Sequence, residues 1–201
     1  MSLFKGHKPR CNGIGPLQYL LTRTRPDISY SVSILSQMQL NPTHEQFKYL
    51  KRILRYLQYT KDLGIKVDSS KELCLVGYVD ASFAKFPNER NGITGYIFYL
   101  DSTPIVWKTC KQKIVAKSTM ESELYALESA VSECLWIKRI LNELTFKQSI
   151  ITIYCDNQAT IKFIENRFQS SRNKHIDIRR CFVNNMLKIK KYKLNIFQQM
   201  I

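Results

Sequence analysis

The run Leu73–Asp80 is apolar on both of its faces and then ends in an acid. Alternate residues of a strand point to opposite sides. Leu73, Leu75 and Val79 therefore make one face, and Cys74, Val76 and Tyr78 share the other with Asp80. A strand that is apolar on both sides belongs in the middle of a covered sheet. Further extended stretches are predicted over Gly64–Val67, Thr94–Leu100, Pro104–Lys108, Ile150–Cys155 and Lys193–Gln198, with a turn at Asp101-Ser102-Thr103. Helical patterns cover Thr119–Leu144, Gln158–Glu165 and Ile176–Ile189. From Leu73 onward the order is three strands, helix, strand, helices, strand. That order predicts an α/β fold, a mixed sheet flanked by helices.

The N-terminal third reads differently. Residues 1–15 form a leader with Gly, Pro and basic residues. One helix is predicted to begin near Pro26, a good first-turn residue, with Ile28, Val32 and Leu35 on one face. A second follows the capping-box pattern Thr43-x-x-Gln46, with Phe47, Leu50, Leu54 and Leu57 as its apolar stripe. Lys48, Lys51, Arg52 and Arg55 lie mostly off that stripe, and two readings fit them: a solvated face or a phosphate-contacting one. The expected division is a leader over 1–15, a short helical segment over 16–63 and the α/β domain over 64–201.

Composition narrows the function classes. The 201 residues carry a net charge of +15, which favours a polyanionic partner such as nucleic acid. No stretch approaches the roughly 18 apolar residues that span a bilayer, and Met1–Gly15 has no signal-peptide core. The six cysteines form no C-x-x-C pair, so neither a zinc knuckle nor a disulfide framework is indicated. A reducing, intracellular setting (cytoplasm or nucleus) without a membrane partner is the expectation.

Three acids stand out in this acid-poor chain: Asp80, Glu123 and Asp156. Asp80 closes the apolar strand, a position that also suits an exposed turn residue. Glu121 and Glu123 lie about 200° apart around a helix and cannot point the same way. Glu123 heads the small apolar face of Ala126, Leu127, Ala130, Val131 and Cys134, where an ionised carboxylate is costly unless something pairs it. Glu121 reads as a first-turn acid favoured by the helix dipole. Asp156 follows an Ile-rich strand, where it or Asn157 could simply cap the next helix. Taken together, three carboxylates at element ends around one sheet suit hard divalent cations, which take oxygen ligands.

These motifs resemble those of the ribonuclease H domain of copia-type retrotransposon Pol polyproteins, preceded by the tail of the reverse-transcriptase region. The resemblance rests on Thr24–Val32, Lys51–Leu57, Gly77-Tyr78-Val79-Asp80-Ala81-Ser82, Ser118–Leu127, Tyr154-Cys155-Asp156-Asn157-Gln158 and Lys174-His175-Ile176-Asp177-Ile178-Arg179. It implies an RNase H-like fold and metal-dependent hydrolysis of the RNA strand of an RNA/DNA hybrid. It assigns catalysis and metal binding to Asp80, Glu123 and Asp156, with a two-ion Mg²⁺ or Mn²⁺ site. The basic stretch Lys162–Lys193, ten Lys or Arg against Glu165 and Asp177, is the candidate hybrid-facing patch. His175 is left between a mobile catalytic histidine and a capping or surface role. The family pattern continues past the last strand into a helix with a fourth aspartate, where this chain reads Phe197-Gln198-Gln199-Met200-Ile201. A truncated domain lacking that helix and impaired in activity is therefore expected. The alternative is a catalytically inactive, transposon-derived remnant that still binds nucleic acid.

Overall fold

The computed structural model describes residues 13–39, 43–67, 74–83, 90–146, 151–166, 174–188 and 192–196. The chain divides into two compact units, residues 1–66 and 67–201.

The first unit is helical. It contains α1 (Ile14–Arg23), a 3₁₀ turn (Pro26–Ile28), α2 (Ser29–Ser36) and α3 (His44–Tyr59). The helix expected near Pro26 is present as the turn plus α2, and Ile28, Val32 and Leu35 are all buried. Helix α1 starts inside the expected leader, whose residues 1–12 lie outside the described residues. Gly15 and Pro16 look like breakers, but Pro16 is the third helical residue, where no intrahelical partner for an amide exists.

The capping box of α3 is realised. The Thr43 amide donates to Gln46 Oε1 at 2.7 Å, and the Gln46 amide donates to Thr43 Oγ1 at 3.4 Å. Thr43→Ala is expected to cost about 1 kcal/mol, read as a lowered urea midpoint. The buried stripe of α3 differs from the pattern. Leu50 and Ile53 are buried while Leu54 is 48% exposed. Positions 53 and 54 both sit one turn beyond Leu50, so spacing could not choose between them. A buried Arg25 ties the unit together. It forks onto Asp27 at 2.7–3.2 Å and donates to Thr60 O and Oγ1 at 3.0 and 2.7 Å. Gly64–Val67 is not a strand. Gly64, Lys66 and Val67 are exposed, and among the described residues no strand pairs with the stretch to supply a ladder.

The second unit is the expected mixed sheet. Its strands are β1 (Leu75–Ser82), β2 (Ile93–Leu100), β3 (Thr103–Lys111), β4 (Ile151–Cys155) and β5 (Tyr192–Ile196), in the order β3-β2-β1-β4-β5. β1–β2 and β2–β3 are antiparallel; β1–β4 and β4–β5 are parallel. The helices are α4 (Thr119–Glu143), α5 (Gln158–Glu165) and α6 (Lys174–Lys188). The β2–β3 turn falls at Asp101-Ser102, with Asp101 at φ 54° and its carboxylate accepting from the Cys74 amide at 2.9 Å.

β1 is central, as its two apolar faces predict. Only one face is fully buried, however: Leu75, Gly77, Val79 and Ala81 lie in the core with Phe98, Leu124, Leu127 and Ala130. The other face stays half-open, and Tyr78 packs there between Tyr154 (5.2 Å, stacked) and Tyr99 (5.9 Å, edge-on). No described helix is long and apolar enough to cross a membrane.

Candidate metal centre

Strand register brings Asp80 and Asp156 to the same end of the sheet. Val79 pairs with Cys155 across the parallel β1–β4 ladder, so Asp80 and Asp156 follow one another's level at the same end of the sheet. Helix α4 packs against β1 and brings Glu123, in its second turn, to that end. Asn157, not Asp156, caps α5: its Oδ1 accepts from the Thr160 amide at 2.9 Å. Asp156 therefore has no capping duty and remains exposed, like Asp80.

Glu123 is different. It is 3% exposed, it accepts a hydrogen bond from the Ala81 amide, and its Oε2 is buried with no hydrogen-bond partner among the described residues. Burial, reinforced by the negative charges of Asp80 and Asp156, pushes its carboxyl up to about 8, against the smaller pull of the Ala81 amide. A carboxylate oxygen, the Cys155 sulfur and an Asp156 oxygen fall within 4.8 Å of one another. Burial holds the Cys155 thiol up at about 12, so it stays protonated beside the acids. Asp80 is not among the three residues whose donor atoms converge, although its charge reaches Glu123. With the Cys155 thiol protonated, the carboxylate oxygens of Glu123 and Asp156 are the donors that fit a hard cation such as Mg²⁺ or Mn²⁺.

The first turns of α4 hold more polar structure than the helical pattern suggests. Residues 121–127 are all buried, so this stretch has no solvent-facing side. Glu121 is not a simple first-turn acid. It is 2% exposed and accepts from the Lys117 amide at 2.7 Å and from the Tyr125 hydroxyl, with His175 Nε2 at 3.4 Å. Burial pushes its carboxyl up, but Tyr125, the Lys117 amide and His175 outweigh that and hold it below the usual range. His175 thus sits against Glu121 at the start of α6.

A buried clamp pins the same turn from the sheet side. Gln112 Nε2 donates to Thr94 Oγ1 at 3.1 Å and to Ser122 O at 2.9 Å, while Ser122 Oγ donates to Gln112 Oε1 at 3.1 Å. Gly92 leaves room for it: a Cβ there would lie 2.5 Å from Gln112 Oε1. Nothing in the local sequence marks Gln112 or Ser122 as partners. Gln112→Leu is expected to cost about 1–3 kcal/mol, because Ser122 and Thr94 keep buried polar atoms without partners. Urea unfolding followed by circular dichroism reads this out.

The basic stretch 162–193 is partly structural. Arg179 pairs with Glu128 and stacks over Tyr125 at 4.6 Å. Arg180 donates to Asp177 at 2.9 Å and to Asn166 O. Asp177 is therefore occupied away from the acids. Lys162 is exposed, and Arg167, Arg172, Lys190 and Lys191 lie outside the described residues.

No protein-family model matches the chain. Curated proteins do. The chain is 41% identical over 176 residues to the retrovirus-related Pol polyprotein of transposon RE1 of Arabidopsis thaliana, covering 87% of this chain and 12% of that protein. It is 36% identical over 179 residues to the Pol polyprotein of transposon TNT 1-94 of Nicotiana tabacum, covering 89% and 13%. The chain belongs to the copia-type retrotransposon Pol family. It spans about an eighth of the length of these Pol relatives. Among solved structures, the foamy viral protease–reverse transcriptase dRH, in complex with dsDNA, superposes with a TM-score of 0.61 at 15% identity, covering 98% of this chain and 34% of that one. The second unit of this copia-type chain has the RNase H-like fold, with its mixed sheet and flanking helices.

Proposed function

We propose that the second unit is a metal-dependent ribonuclease that hydrolyses the RNA strand of an RNA/DNA hybrid. One observation carries this reading: Glu123 is buried with an unpartnered oxygen and is coupled by charge to Asp80 and Asp156. Such a cluster is unfavourable unless a cation completes it. Membership of the copia-type Pol family supports the same reading.

Asp80, Glu123 and Asp156 are the residues to hold Mg²⁺ or Mn²⁺, as one ion or as a pair. Bound there, the metal would supply Lewis-acid polarisation of a phosphoryl oxygen and a water acidic enough to act as nucleophile. The chain's own contribution is placement. Ala81 fixes one Glu123 oxygen, the Gln112–Ser122 clamp and the Glu121 hub anchor the turn that carries Glu123, and Cys155 stays neutral beside it. The exposed carboxylates of Asp80 and Asp156 leave the site open to a bulky polyanion. A hybrid duplex suits it, because the wide shallow groove of such a helix displays 2′-hydroxyls.

The test is cleavage of a hybrid labelled on the RNA strand, with Mg²⁺ or Mn²⁺ and with chelator, beside single-stranded RNA and duplex DNA. The expected result is metal-dependent cutting of the RNA in the hybrid alone. Binding without cutting under every metal condition would instead identify the inactive, nucleic-acid-binding remnant.

A further inference from the structure

We propose a second metal mode at the same end of the sheet, in which the Cys155 sulfur joins the Glu123 and Asp156 carboxylates around a thiophilic divalent cation, Zn²⁺ or its softer homologue Cd²⁺. It rests on the reading that Glu123 and Asp156 accept a cation. One donor atom from each of the three residues lies within 4.8 Å of the others. Zn²⁺, bonded at about 2.3 Å to sulfur and about 2.1 Å to oxygen, sets the donors of a tetrahedron about 3.5 Å apart. Closing the cluster therefore asks for movements of about 1 Å, which the exposed Asp156 side chain can supply.

Two observations separate Cys155 from a thiol that merely packs. The first is its neighbours. Cys134 is equally buried, but the charge that reaches it is that of Lys138, whereas Cys155 feels Glu123, Asp156 and Asp80. The second is the orphaned Glu123 Oε2 in the same cluster: Glu123 is 3% exposed, and among the described residues that oxygen has no hydrogen-bond partner. The backbone holds the sulfur in place, since Cys155 pairs with Val79 on one side of β4 and with Ile196 on the other. A hard cation uses only the oxygens, but a thiophilic one prefers to add the sulfur. On ligation the S–H bond breaks, a sulfur–metal bond forms, and the thiol proton passes to solvent together with any proton on Glu123. Nothing is oxidised or reduced. Three protein donors with a fourth position open is an arrangement that Zn²⁺ readily adopts. Because Glu123 and Asp156 serve both modes, thiophilic and hard ions exclude one another.

The full chain is titrated with Cd²⁺, and the ultraviolet charge-transfer band of a cadmium–thiolate bond is followed beside the electron paramagnetic resonance of bound Mn²⁺. The parent is expected to show the band at the first equivalent, with release of Mn²⁺. Cys155→Ser should weaken Cd²⁺ binding by about 100-fold or more, remove that band and leave Mn²⁺ affinity within about threefold. Cys74→Ser, at an exposed thiol, should leave both unchanged. A Cys155→Ser chain that keeps the parent's band and cadmium affinity overturns the proposal, as does cadmium that binds without releasing Mn²⁺. Parent crystals soaked in Cd²⁺ give the answer whether or not the variant folds. An anomalous peak within bonding distance of Cys155 Sγ and the Glu123 and Asp156 carboxylates is expected; a peak held by oxygens alone, or only at other cysteines, contradicts the proposal. Absent hybrid cleavage with the Cys155-dependent band preserved counts against the nuclease reading only. Mn²⁺-dependent cleavage with cadmium binding indifferent to Cys155 counts against this proposal only.

Discussion

Asp80→Asn is expected to lower metal-dependent hybrid cleavage by at least about 1,000-fold, which corresponds to about 4 kcal/mol of lost transition-state stabilisation. Its side chain is exposed at the end of β1, so the change removes charge without opening the core. Hybrid binding in chelator and the melting temperature should therefore stay near those of the parent chain. Asp156→Asn should behave alike, since Asn157 carries the α5 cap on its own. Residual cutting of the parent's magnitude in either variant would show that the reaction is performed elsewhere on the chain.

Glu123→Gln should separate activity from stability. An unfolded glutamate titrates near 4.5, whereas burial beside two other acids raises Glu123 to about 8 in the folded chain. Between those values the folded state holds the proton and the unfolded state does not. The metal-free parent is thus unaffected below pH 4.5, loses stability as pH rises toward 8, and changes no further above it. The amide variant lacks this loss and is expected to be about 2–4 kcal/mol more stable than the parent at pH 8.5 in chelator. It should also be inactive. Saturating Mg²⁺ should restore the parent by about 2–3 kcal/mol and leave the variant unmoved. Guanidinium titrations at pH 5 and pH 8.5, each with chelator and with Mg²⁺, measure all four quantities.

How much of this was legible in the sequence depends on whether the cause was local. Helix α5 has the bounds its pattern predicts, Gln158–Glu165, because a local cap and an apolar stripe define it. The centrality of β1 followed from its two apolar faces, and Glu123 was conspicuous as an acid heading an apolar helical stripe. Long-range causes were invisible. Glu121 looked like a dipole-favoured acid because Lys117, Tyr125 and His175 surround it only once α6 packs on α4. The Gln112–Ser122 clamp joins the end of β3 to α4, and no spacing rule connects those positions. The choice of Ile53 over Leu54 reflects how α3 packs in its unit. Helix α1 was hidden by a proline that is harmless in a first turn.

Direct observation of a cation decides the central claim. Crystals soaked in Mn²⁺ and measured at the manganese edge should show an anomalous peak within coordination distance of Glu123 Oε2 and of the Asp80 and Asp156 carboxylates. Glu123→Gln crystals should lose it. A map with no peak there at saturating Mn²⁺, or with manganese bound only to other residues, would contradict the account.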